Sequence, residues 1–306
     1  MKLVVVAGPT GVGKSRLAIR LASECGGEIV NYDSIQIYRG FDIGSAKPAV
    51  AERALVPHHL FDIVDATDEF NAADYARVAR PVCEDIVRRG KIPILVGGTF
   101  FYLRALLAGL PEMPGRNEEI RARLRSIAGR ARGPHWLHRW LSRVDRVTAS
   151  RVAPGDRHRV ERALEVWLAS GRAISTWTPP AAESVSGDDA LKIALTLDRA
   201  EIHRRLDARV DAMYRDGLVA ETRSLATRYP ADARPFGSIG YREALAIIRG
   251  ELTEEAAIAE TRRRTRAYAK RQMTWLRSER NVQWLDAADH EETFRAAVRL
   301  VERFKA

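Results

Sequence analysis

Gly8-Pro9-Thr10-Gly11-Val12-Gly13-Lys14-Ser15 is the densest piece of chemistry in this chain. The backbone N–H groups of such a glycine-rich loop, with a helix N-terminus behind them, cradle a phosphate chain. Lys14 adds a point charge, and the Ser15 hydroxyl is a ligand for Mg²⁺. By the motif alone the ligand could be a nucleotide such as ATP; two or more phosphates are expected. A phosphoryl-transferring enzyme of this type also needs an apolar strand ending in an acid that helps to hold the metal. Here the best later strand, Ile92–Val96, runs into Gly97-Gly98-Thr99 instead. Asp33, after Ile29-Val30-Asn31-Tyr32, is the only acid placed at a strand end facing the loop. Beside a diphosphate it could hold metal, act as a base on an incoming nucleophile, or merely cap a helix.

The elements that position these residues follow from periodicity. Leu3–Ala7, Glu28–Tyr32 and Ile92–Val96 are short, continuous apolar strands, while Ser15–Cys25, Asp74–Arg89 and Phe100–Leu107 have helical spacing. Strands that are apolar throughout and alternate with helices predict a P-loop-type parallel α/β sheet covered on both faces. In such sheets ligands sit at the carboxyl ends of strands, so the loop, Asp33 and Thr99 should converge. The character changes near Pro111–Gly115: from Asn117 to Arg172 nearly everything is helical, broken only at Gly133-Pro134 and Pro154-Gly155. A polar loop over 178–189 precedes a strand at Leu191–Leu197, and Ala200–Arg277 is mostly helical. An all-helical insertion over residues 115–190 is therefore expected within an α/β core of 1–114 and 191–306.

Charge follows the same partition. Residues 1–112 are neutral overall, 113–200 carry +6 and 201–306 carry +4, within a total of +10. A localised basic excess fits a polyanionic partner, although an arginine-rich composition or a solvated helical face would give the same count. Trp136 and Trp140, one helical turn apart, read as core rather than as a base-stacking platform. Arg262-Arg263-Arg264, Arg266, Lys270 and Arg271 wind around most of a helix, so only some can face one ligand. Adjacent His58 and His59 make a poor metal pair. Two cysteines, Cys25 and Cys83, support neither a disulfide framework nor a zinc site and fit a reducing cytoplasm. The apolar run at the N-terminus stops after five residues, and no run of 18 exists, so a soluble cytoplasmic protein without a membrane partner is expected.

The order of motifs then carries a resemblance. The P-loop, Asp33–Tyr38, Asp42-Ile43-Gly44-Ser45-Ala46-Lys47-Pro48, Pro57–Leu60 and Gly97–Thr99 are similar to those of the tRNA dimethylallyltransferases, also called tRNA isopentenyltransferases. The likeness continues through Arg159–Val166, Ile239–Glu243 and Tyr268–Leu276, spanning residues 3 to about 280. It implies transfer of a dimethylallyl group from dimethylallyl diphosphate to N6 of adenosine 37, beside the anticodon of tRNAs reading codons that begin with U. By this resemblance Gly8 to Ser15 hold the diphosphate of the prenyl donor, with Mg²⁺ on Ser15, and no second acid is needed because no phosphoryl group moves. Asp33 matches the general base. Thr99 and Arg121 match residues near the reacting centre and the tRNA. Asp33, Ser34, Ile35 and Gln36 match the loop that receives the target adenosine, with Gln36 facing the adenine edge. Arg157, His158, Arg159, Val160 and Glu161 match another tRNA-contacting segment, in which Arg159 and the neighbouring Arg162 are the expected phosphate contacts. The Arg157-His158 pair departs from the pattern common in the family. Lys47 and the histidine pair fall in family motifs without an assigned role. The partners implied are the tRNA anticodon stem-loop and the prenyl diphosphate, for a monomeric enzyme.

Three other readings compete. A small-molecule kinase with the insertion as its lid would want an acid after Val96. A prenyltransferase acting on free adenylate would need no basic insertion. A nucleic-acid-binding protein with a relic P-loop would not need Lys14, Ser15 and Asp33 intact.

Overall fold

The computed structural model describes residues 1–129, 133–178, 185 and 189–306. Two compact units result, Met1–Leu107 with Val185–Ala306, and Ala108–Ser184. The first is built on a wholly parallel six-stranded sheet. Its strands are β1 (Leu3–Ala7), β2 (Gly27–Asn31), β3 (His58–His59), β4 (Ile92–Val96), β5 (Ala190–Thr196) and β6 (Val282–Asp286), in the order β3-β2-β4-β1-β5-β6. Val4 lies opposite Ile94 on one side and Leu191 on the other. All residues of β1, β2 and β4 are buried, which is why β1 and β4 are apolar on both faces rather than alternating, while β2 buries Glu28 and Asn31 with hydrogen-bond partners.

Helices α1 (Lys14–Cys25), α2 (Val50–Arg53), α3 (Ala72–Arg88) and α4 (Phe100–Ala108) belong to the first half of the chain. The start of α3 lies earlier than periodicity suggests because Asn71 caps it: its side chain accepts from Ala73 N and Asp74 N, and the Asp74 carboxylate returns to Asn71 N. After the insertion come α9 (Arg199–Arg215), α10 (Leu218–Arg228), α11 (Tyr241–Ile248), α12 (Glu254–Ser278) and α13 (His290–Lys305). Antiparallel α9 and α12 are laced by Arg266 Nε to Asp207 at 3.0 Å and Arg262 Nε to Asp211 at 3.1 Å. Two elements lie beyond the periodicity read above. Strand β6 extends the sheet past β5, and α13 places Ala297 and Val301 in one core with Val4, Val6, Leu17 and Leu21.

The second unit holds α5 (Glu118–Gly129), α6 (Gly133–Val144), α7 (Arg146–Arg151) and α8 (Arg157–Ser170) around Leu124, Leu137, Leu141, Val160 and Leu164. Trp136 and Trp140 pack against this core, edge to face at 5.7 Å. The break between α7 and α8 falls at Pro154-Gly155, and Gly133-Pro134 opens α6. The unit starts at Ala108 rather than 115. Its Pro114 and Gly115 carbonyls bond the Arg162 guanidinium on α8, which fastens the connecting segment to the helices. Most of the loop expected over 178–189 lies outside the described residues. Among the described residues no helix is long and apolar enough to cross a membrane, and both cysteines are free thiols.

Candidate active site

The carboxyl ends of β1, β2 and β4 open into a cavity of about 370 Å³ in the first unit, within the range of small-ligand sites. Three connections meet there. After β1 the P-loop turns into α1 through Gly13, whose φ of 103° is a left-handed conformation that side chains resist. Lys14 Nζ folds back onto Pro9 O at 2.9 Å, and Ser15 is exposed at the first turn of α1. After β2, Asn31 Oδ1 accepts Asp33 N–H at 2.9 Å. Asp33 Oδ1 in turn accepts Ile35 N–H at 2.9 Å, so one carboxylate oxygen shapes its own turn. After β4, Thr99 Oγ1 accepts Ser34 N–H at 2.9 Å and donates to Ser34 Oγ at 3.0 Å.

Electrostatically the cavity is cationic around one acid. Burial pulls the Lys14 ammonium down to about 7, Arg209 from α9 pushes the same way, and Asp33 opposes both. The Arg209 guanidinium is also lowered by burial and raised by Asp33. Among the described residues no carboxylate forms an ion pair with Lys14 or Arg209. Arg264 and Arg271 of α12 line the same space, although Arg264 already pairs with Glu243. Two half-buried cations that no carboxylate ion-pairs, beside the phosphate-type loop, form an arrangement suited to a polyanion.

The chain as a whole is similar to known proteins. The chain matches the family model described as IPP transferase over residues 36–279, and the one described as Isopentenyl transferase over residues 1–58. The chain belongs to the IPP transferase family. It is 47% identical over 283 residues to a protein of Koribacter versatilis named tRNA dimethylallyltransferase, covering 92% of each chain. A protein of the same name from Solibacter usitatus is 49% identical over 286 residues, 93% of this chain and 92% of that one. Among solved structures, the full-length tRNA isopentenylpyrophosphate transferase of Bacillus halodurans superposes with a TM-score of 0.74 at 35% identity, over 99% of this chain and 96% of that one. A eukaryotic dimethylallyltransferase described as acting on tRNA gives 0.74 at 31% identity, over 95% and 75%.

In this member of the IPP transferase family, Thr10, Lys14, Ser15, Asp33, Ser34, Ile35, Gln36 and Thr99 all line the cavity. Two of them also hold the surrounding loops. Gln36 Nε2 donates to Ser45 O at 3.0 Å and Ala46 O at 3.1 Å, tying down the 42–48 loop, so Oε1 is the atom left for the expected contact with an adenine edge. Thr99 lies at the cavity beside Asp33, and by bonding Ser34 its hydroxyl also supports the Asp33 turn. Of the motif residues without an expected role, His58 lines the cavity, whereas Lys47 and His59 are structural. Lys47 bonds Asp42 and Asp62 and is almost wholly buried, while His59 bonds buried Glu28 at 2.7 Å.

The remaining candidates lie in the helical unit. Arg121 Nε and Arg162 Nη1 reach Glu165 at 2.8 and 2.9 Å, and the fully buried Glu165 also accepts Asn117 N–H. Burial alone would raise that carboxyl, but Arg121, Asn117 and Arg162 hold it down to about 2. Arg162 is therefore an internal tie rather than the expected phosphate contact. Val160 is a core residue and Glu161 is buried against Arg157, so neither presents its side chain to a ligand. Arg157, His158 and Arg159 stay exposed. Sequence reasoning missed Arg209, which no motif marks within an arginine-rich helix, and gave no role to Tyr268 and Gln272. Both of the latter bond Gly98 O, at 2.7 and 3.1 Å.

Proposed function

We propose that this protein transfers a dimethylallyl group from dimethylallyl diphosphate to N6 of adenosine 37 in tRNAs reading codons that begin with U. The observation that carries the reading is Asp33, the acid facing unpaired Lys14 and Arg209 across one cavity. Such an arrangement binds a diphosphate and deprotonates a nucleophile, and the strand ending at Val96 supplies no acid for phosphoryl transfer. The N6 lone pair attacks C1 of the prenyl group while the C1–O bond breaks, its electron pair leaving with the diphosphate. The N6 proton passes to Asp33 as the C–N bond forms. The P-loop amides, Lys14 and Arg209 neutralise the charge that develops on the departing oxygen.

The residues present fit Mg²⁺. Among the described residues no three acidic, histidine or cysteine side chains converge, but Mg²⁺ commonly rests on one protein oxygen, phosphates and waters. Ser15, exposed at the mouth of the cradle, would hold it together with the diphosphate, where it supplies further charge neutralisation. Adenosine 37 reaches the cavity by leaving its stack, as bases in single-stranded loops can. The test is incubation with radiolabelled dimethylallyl diphosphate, AMP, ATP and an unmodified tRNA. Label in tRNA alone supports the reading. Label in AMP would make the adenylate the substrate, and phosphoryl transfer from ATP would make the protein a kinase.

A further inference from the structure

Gln272 occupies a position that none of the chemistry above requires. It is 2% exposed on α12, and its amide bridges two of the loops that form the site. Oε1 accepts Thr10 N–H of the P-loop at 2.8 Å, while Nε2 donates to Gly98 O at 3.1 Å. Gly98 O also takes the Tyr268 hydroxyl at 2.7 Å. The space around Gly98 is close. A Cβ at Gly98 would lie 2.8 Å from Gln272 Nε2, 3.0 Å from Tyr268 Oη and 3.1 Å from Asp33 Oδ2. From Gly98 the chain of bonds runs through Thr99 to Ser34 and so to the Asp33 turn.

We propose that Gln272 is a positioning residue that sets the separation between the donor cradle and the base-bearing turn, an inference that rests on the roles given above to the P-loop and Asp33. The transfer needs the attacking nitrogen, C1 and the leaving oxygen in line, and a misplacement of about 1 Å can cost roughly 10²-fold in rate. A side-chain amide presents an uncharged acceptor and donor side by side, which this gap between an N–H and a C=O demands. An ionised glutamate is acceptor-only and would set a carboxylate oxygen against Gly98 O. A protonated one restores both bonds, its carbonyl oxygen accepting from Thr10 and its O–H donating to Gly98.

That difference supplies the test. Single-turnover transfer from dimethylallyl diphosphate to tRNA is measured for the native protein, Gln272→Leu and Gln272→Glu across pH 5 to 8, with donor affinity alongside. The titratable groups sharing the cavity are Lys14, Asp33, His58 and Tyr268, with Arg209, Arg264 and Arg271 as fixed charges. The uncharged Gln272→Leu leaves their charges as in the native protein, so its rate ratio should be flat in pH, and a pH-dependent ratio for Gln272→Glu traces to the carboxyl placed at 272. Expected are a loss of about 10² for Gln272→Leu with little change in donor affinity, and a Gln272→Glu ratio that rises toward native as pH falls. A merely structural role would not produce that acid rescue in one folded preparation. Native-like transfer by Gln272→Leu, or a Gln272→Glu ratio flat in pH, would overturn the proposal while native transfer stands. Absence of transfer by the native protein would instead overturn the functional reading, and this proposal with it.

Discussion

Asp33 divides its two oxygens between structure and chemistry. Oδ1 holds the Ile35 N–H, and Oδ2 borders Gly98. Asp33→Asn keeps the shape and the turn but cannot take a proton. Single-turnover transfer should therefore fall by about 10²–10⁴ while tRNA and donor affinities change much less. A near-native rate would remove Asp33 as the base, and a loss of donor affinity would recast it as a metal ligand. Lys14 carries a second residue-scale consequence. Its ammonium titrates at about 7 when the cavity is empty of anion. A bound diphosphate favours the charged form and raises that value, so above pH 7 binding must take up a proton. Affinity should then weaken with rising pH by up to about tenfold per unit until the bound-state value is reached. Calorimetry at pH 8 in two buffers of different ionisation heat should show close to one proton taken up, and Lys14→Met should abolish both the uptake and tight binding.

At the scale of elements, helices far along the chain hold loops near its start. Glu221 of α10 accepts Ile43 N–H at 2.9 Å and the Tyr241 hydroxyl of α11 at 2.5 Å, and Tyr241 Oη accepts Gly44 N–H at 3.1 Å. The loop so held presents Ser45 O and Ala46 O to Gln36, three residues from Asp33. Tyr241→Phe removes only a buried hydroxyl, which deprives Glu221 of a hydrogen bond and leaves Gly44 N–H with only a 3.5 Å contact to Glu221 Oε1. It should cost about 2 kcal/mol in urea unfolding, within the range for a stranded buried hydrogen-bonding group. In the helical unit, Glu165 ties α5, α8 and the Asn117 backbone together. Glu165→Ala strands two guanidinium groups that are each only about 30% exposed. A loss of about 3 kcal/mol is expected from breaking a buried pair, measured as an earlier denaturant transition in tryptophan fluorescence.

For the whole molecule, the basic excess is a poor guide until pairing is known. Arg116, Arg121, Arg125, Arg157 and Arg162 all meet carboxylates within the helical unit. Arg123, Arg139, Arg143, Arg146 and Arg151 are exposed, and among the described residues no carboxylate pairs with them. Arg159 is exposed too, with only a 3.4 Å contact to Asp156. Each arginine that neutralises a tRNA phosphate steepens the salt dependence of binding by roughly 1 in log–log slope. Filter binding over a KCl series should thus show Arg159→Ala lowering the slope by about 1, while Arg162→Ala leaves the slope unchanged and lowers stability. An equal effect from both would mean that the Arg162–Glu165 tie opens on the tRNA.

The sequence by itself determined the parallel sheet, the P-loop between β1 and α1, and the strand-end place of Asp33. These depend on local periodicity and on backbone geometry that only certain residue types allow. It also marked Tyr268–Leu276 as a motif, without saying what Gln272 touches. Only the tertiary structure decided which arginines are free, because pairing depends on what the fold brings opposite each side chain. It likewise decided that α12 returns to bridge Thr10 and Gly98, and that Arg209 reaches the cavity from α9. Val282–Asp286 and His290–Lys305 found their places at the sheet edge and over α1 for the same reason. A contact between residues some 260 positions apart, as between Thr10 and Gln272, leaves no period in the sequence. It is written only in the packing that brings the two together.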